Sequence, residues 1–135
     1  MFLFSHKNIK QFDMKDKMNL ILGASSKTTR YSKMAIELLQ NKREDVIAIG
    51  SKEAEVGHVK ILTSLPDYVK QVHTVTIYLK PLLQKQYEKM ILDLHPKRVI
   101  FNPGTNNIEL QNKLASAGVE VLNACTLVLI QTNQY

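Results

Sequence analysis

Short apolar runs alternate with stretches of helical periodicity along most of this chain. Residues 20–22, 46–49, 73–79, 98–101 and 119–122 each read as a strand, and the unbroken apolar character of the first suits a central strand covered on both faces. Between them, residues 31–41 predict a helix with Met34, Ala35, Leu38 and Leu39 on one stripe. Residues 82–94 predict a second, with Leu83, Tyr87, Met90, Ile91 and Leu94 as its apolar face, and residues 109–117 a third, with Leu110, Leu114 and Ala117. Ser32, in competition with Ser26, Thr28 and Thr29, is placed to cap the first helix, and Asn106 or Asn107 the third. Residues 53–57 read as a turn, Val59, Ile61 and Leu62 as a short edge strand, and residues 64–69 as a turn into a brief helical piece. This alternation predicts an α/β fold: a three-layer, Rossmann-like domain over residues 19–135, its sheet mostly parallel, with helices on both faces. Residues 1–18, with Phe2, Phe4, Ile9 and Phe12 among lysines, read as an N-terminal arm, packed or frayed.

Composition narrows the partners. The 135 residues suffice for one sizeable core, and the net charge of +6 favours an anionic ligand. The aromatic-and-basic strand pattern of a nucleic-acid binder is missing, so a nucleotide-like small molecule is the better match and no nucleic-acid partner is expected. Cys125 is the single cysteine, which excludes an intrachain disulfide and fits a reducing compartment. No apolar run approaches a membrane span, and the first residues lack the basic-then-apolar order of a secretory signal, so a cytoplasmic location is expected. The four histidines show no metal-ligand spacing, and no metal site is expected.

In such a sheet, ligands sit at the C-terminal ends of the strands, beside the point where the strand order reverses. The residues there are Gly23-Ala24-Ser25, Gly50-Ser51-Lys52, Leu79-Lys80-Pro81, Asn102-Pro103-Gly104 and Asn123-Ala124-Cys125, so that every strand end is small, polar or basic. After the first strand, Ser25, Ser26 and Thr28 offer hydroxyls, while Lys27 and Arg30 offer charge at a helix start, where phosphates are readily held. Ordinary loop solvation and helix capping account for the same residues. Tyr31 either covers this loop or packs in the core. Dinucleotide dehydrogenases often carry an acid after the second strand to hold a ribose; here Ser51 and Lys52 stand instead, which disfavours NAD and suits a phosphate near the ribose. Lys52 reads equally as a solvated surface lysine. Asn102 is placed either to meet a ligand or to brace its own backbone. Cys125 could act as a nucleophile, but no histidine follows it in a triad-like arrangement.

With those strand ends in view, the chain resembles the small bacterial CoA-binding proteins, whose fold is that of the CoA-binding domain in the alpha subunit of succinyl-CoA synthetase. The matching stretches are Gly23-Ala24-Ser25 with Arg30-Tyr31-Ser32, then Thr76-Ile77-Tyr78, then residues 98–105 with Asn107, and residues 123–128. The resemblance implies coenzyme A, an acyl-CoA or a related adenine nucleotide lying over the strand ends. It implies phosphate near Ser25 and Arg30, the adenosine part along Gly50 to Lys52, and a pocket edge at Tyr78, Lys80 and Pro81. Asn102, Gly104 and Cys125 would approach the far side. None of the four histidines matches the phosphohistidine of the larger synthetases, so ligase activity is not implied. Non-catalytic binding is therefore the leading expectation, with a homodimer as a compatible assembly. The alternatives are an acyl-CoA-dependent enzyme using Cys125 and a structural or regulatory protein whose ligand site has lapsed.

Overall fold

The computed structural model describes residues 18–135. The arm expected over residues 1–18 lies outside them except for Met18, which already pairs in the first strand. Seven strands form one sheet: β1 (Met18–Leu22), β2 (Asp45–Ile49), β3 (Ala54–Val56), β4 (Val59–Leu62), β5 (Thr74–Ile77), β6 (Arg98–Phe101) and β7 (Glu120–Asn123). Their order is β3-β4-β2-β1-β5-β6-β7, and every neighbouring pair is parallel except β3 with β4. The fold is thus the expected α/β, Rossmann-like architecture. The helices are α1 (Tyr31–Asn41), α2 (Pro81–Gln84), α3 (Glu88–Asp93), α4 (Ile108–Ser116) and α5 (Thr126–Gln131), with a 3-10 turn (Lys85–Tyr87) joining α2 to α3.

Side chains alternate across a strand, so each central strand feeds two cores. One face buries Leu20, Leu22, Val75, Ile77, Val99 and Phe101 against Ile91 of α3 and Leu110 and Leu114 of α4. The other buries Ile21, Ala48 and Ile61 against Ala35, Ile36 and Leu39 of α1 and Ile130 of α5. Because β1 and β5 are covered on both sides, their sequences are apolar or β-branched except at Asn19, whose Nδ2 donates to the Asp45 carbonyl at 3.0 Å.

Four local expectations change. The buried stripe of α1 is Ser32, Ala35, Ile36 and Leu39, leaving Met34 exposed. Ser32 does not cap that helix: it lies inside the first turn, buried, and its Oγ accepts the Ser25 N–H at 3.1 Å. Residues 54–56 form the true edge strand, antiparallel to β4, so β4 is internal. Gln40 of α1 holds the hairpin between them, donating Nε2–H to the Val56 carbonyl at 2.8 Å and accepting the His58 N–H at 2.8 Å. Residues 64–69 contain no helix.

The expected helix over residues 82–94 is interrupted at the 3-10 turn. Gln84 is buried there, and its Nε2 donates to the carbonyls of Leu79 and Thr105 at 2.8 and 2.7 Å. The tighter 3-10 winding shifts the phase of what precedes it, so Leu83 leaves the stripe that Ile91 and Leu94 continue into the core. Asn107 caps α4, accepting the Leu110 N–H at 3.1 Å, and its Nδ2 donates to Gln84 Oε1 at 2.9 Å. Asn107→Ala should lower stability by about 1–2 kcal/mol, combining a lost cap with an unpaired Gln84 oxygen. Urea titration should show this as a lower midpoint at unchanged slope.

Candidate functional site

A cleft of about 510 Å³ lies above the C-terminal ends of β1, β2 and β5. This is where strand order reverses: the chain moves outward one way from β1 to β2 and the other way from β5 to β6. Three segments build it. From β1 come Gly23, Ala24, Ser25, Ser26, Lys27 and Arg30; from β2, Ser51, Lys52 and Ala54; from β5, Tyr78, Leu79, Lys80 and Leu83.

The floor is held by main-chain hydrogen bonds that extend the ladder past the strands. The N–H groups of Gly23 and Ala24 both reach the Ile49 carbonyl, at 2.9 and 2.8 Å, and the Tyr78 N–H reaches the Leu22 carbonyl at 2.8 Å. Gly23 takes a φ of +90°, a conformation glycine adopts without a steric cost, and it passes against Leu79. Gly50 is buried beneath the cleft, against the Ala24 carbonyl, rather than on its surface.

Above that floor the loop folds on itself. The Lys27 N–H donates to Ser25 Oγ at 3.2 Å, and the Arg30 N–H to the Lys27 carbonyl at 3.0 Å. The Ser25 hydroxyl proton is still free to donate into the cleft. Arg30 stands at the N-cap position of α1, with no side-chain cap and no acid in the first turn. The leading N–H groups and the positive end of the helix dipole are therefore left for an anion. Lys27, Arg30, Lys52 and Lys80 supply four cations, no carboxylate lines the cleft, and none of the four is in an ion pair among the described residues.

Of the residues singled out by sequence, Gly23, Ala24, Ser25, Lys27, Arg30, Ser51, Lys52, Tyr78 and Lys80 come together here. The others do not line the cleft. Tyr31 is exposed at the start of α1, and Pro81 opens α2. Asn102 is buried, donating Nδ2–H to the Ile77 carbonyl at 3.0 Å and accepting the Thr126 N–H on Oδ1 at 2.8 Å, so its side chain braces β5 and α5. Pro103 and Gly104 are exposed beyond it. Cys125 is half-buried at the N-cap of α5.

Ser26, Ala54, Leu79 and Leu83 complete the lining. Leu79 is among the strand-end residues read from the sequence, though the sequence does not single it out as a ligand contact. Ala54 needed β3 to be recognised, and Leu83 the interruption of its helix. Tyr78 contributes its ring, while its hydroxyl is buried next to Thr126 and is without a hydrogen-bond partner among the described residues. Burial pushes that phenol above its ordinary range, so it stays neutral. Among the described residues, no three His, Cys, Asp or Glu side chains meet as a metal-holding group, and no helix is long and apolar enough to cross a membrane.

The family model described as a CoA binding domain matches residues 17–131. No curated protein matches the chain. Among solved structures, an uncharacterised protein is similar with a TM-score of 0.82 at 42% identity, over 88% of this chain and 98% of that one. A hypothetical protein from Pyrococcus horikoshii OT3 gives 0.77 at 25% identity, over 93% and 89%. A protein from Thermus thermophilus shares the fold at 19% identity, with a TM-score of 0.76 over 96% and 98%.

Proposed function

This chain belongs to the CoA-binding domain family, and on that premise we propose that its strand-end cleft binds coenzyme A or a related adenine nucleotide without catalysing a reaction on it. The observation that carries the reading is the set of four cations without a facing carboxylate, gathered at the open start of α1. That set matches the phosphates of a nucleotide cofactor. Arg30 is suited to a bidentate grip, with the first-turn amides and the Ser25 hydroxyl beside it. Lys52, at the end of β2, meets a second phosphate, and Lys27 and Lys80 add long-range attraction. When bound, coenzyme A supplies a thiol that carries acyl groups as thioesters. Cys125 does not line the cleft, which supports binding over thiol chemistry. We further propose a kinship in fold with the CoA-binding domain of the succinyl-CoA synthetase alpha subunit, a cytoplasmic setting and a homodimer as the assembly.

Thermal unfolding with CoA, acetyl-CoA, ATP, NAD and NADP tests this. At a hundredfold excess over Kd, a CoA compound should stabilise by about 2.7 kcal/mol, raising Tm by about 10 °C, while NAD leaves it in place. Arg30→Ala and Lys52→Ala should each weaken CoA binding about tenfold, since each removes a charge-assisted contact worth about 1.4 kcal/mol at a solvent-facing site. Full affinity in both variants would remove the phosphate assignment even if CoA binds.

A further inference from the structure

The cleft has two chemically different walls. The segments after β1 and β2 supply serines with Lys27, Arg30 and Lys52 and no apolar side chain larger than alanine, whereas the segment after β5 adds Leu79 and Leu83 beside Tyr78 and Lys80. Leu83 is 49% exposed, and its neighbour at the start of α2, Leu82, just outside the cleft lining, is 88% exposed. A lone exposed leucine needs no explanation, but an exposed pair with one member lining a cleft does. The pair cannot roll inward, because the inward position of α2 belongs to Gln84, tied to the Leu79 and Thr105 carbonyls and to Asn107.

We infer that Leu79, Leu83 and Leu82 form a subsite for the acyl chain of an acyl thioester, so that the preferred ligand is a medium-chain or longer acyl-CoA rather than free CoA. The inference rests on the CoA reading above. A molecule anionic at one end and aliphatic at the other matches the two walls. Free CoA ends in a polar pantetheine arm and leaves the outer leucines in water. Each methylene that the subsite buries is worth up to about fourfold in affinity.

Calorimetric titration of the full chain with CoA, acetyl-CoA and octanoyl-CoA, below the micellar range, tests it. Octanoyl-CoA should bind at least about tenfold more tightly than CoA, and acetyl-CoA close to CoA. The ratio of octanoyl-CoA to CoA affinity should fall about threefold in Leu82→Ser and further in Leu83→Ser; both sites are exposed enough for the variants to fold, which a thermal melt verifies. CoA binding with a flat ratio overturns this inference alone. Absence of binding by any CoA compound overturns it together with the reading beneath it. A flat ratio with self-association that Leu82→Ser abolishes assigns the leucines to a second copy of the chain, and overturns it as well.

Discussion

Gly50→Ala is expected to lower stability by about 3 kcal/mol, at the upper end of the range for overpacked interiors, and to weaken ligand binding in the same protein. A Cβ at this position would overlap the Ala24 carbonyl oxygen and press on Ile61 Cγ2 at 3.0 Å. Neither loop can yield cheaply. The Gly50 N–H is bonded to the Leu62 carbonyl at 2.9 Å, and the Ala24 N–H to the Ile49 carbonyl at 2.8 Å. Relief must displace the segment that carries Ser25 and Lys27 into the cleft. Gly104→Ala is the comparison: a Cβ there meets nothing within 4 Å, so only the strain of its φ of +88° remains, about 1–2 kcal/mol, with binding retained. Urea unfolding and CoA titration of the two variants separate these effects. A Gly50→Ala protein as stable as the parent would mean that the two loops do not touch in solution.

Asn102→Ala should cost about 1–3 kcal/mol. The residue is 4% exposed, and loss of its side chain leaves the buried Thr126 N–H without this partner, at about 1–3 kcal/mol, while the Ile77 carbonyl keeps the Asn102 main-chain N–H at 3.3 Å. The loss should appear as a lower denaturant midpoint, with early hydrogen exchange at the start of α5. If CoA affinity falls in proportion to the unfolded fraction and no further, Asn102 acts as a brace. A loss of affinity in fully folded protein would return it to the ligand.

The central sheet was readable because strands buried on both faces must be apolar, and residues 20–22, 46–49 and 98–101 are little else. β3 escaped because three residues with Glu55 at the centre carry too short a pattern to separate from a turn. The interruption after α2 escaped because glutamine ordinarily marks a solvent face, and Gln84 is buried by bonds that join it to Thr105 and Asn107, far along the chain. The candidate site was readable to the extent that chemistry gathers at strand ends. The rule could not rank five such ends. Those of β6 and β7 lie two and three strands from β1, and their polar groups serve the fold: Asn102 holds Thr126, and Asn123 Oδ1 accepts from Gln111 Nε2 at 2.7 Å.

The strand order also divides the chain into two contiguous pieces. Residues 18–62 make β1 to β4, residues 74–123 make β5 to β7, and within the sheet the pieces join only at the β1–β5 pairing, while both helical layers pack across it. The cleft takes one side from each piece, so it opens directly over that junction. Any molecule seated there works as a staple across the seam. Its binding free energy falls on the one strand pairing that joins the two pieces of the sheet, rather than on the outer strands, which can fray while the staple holds.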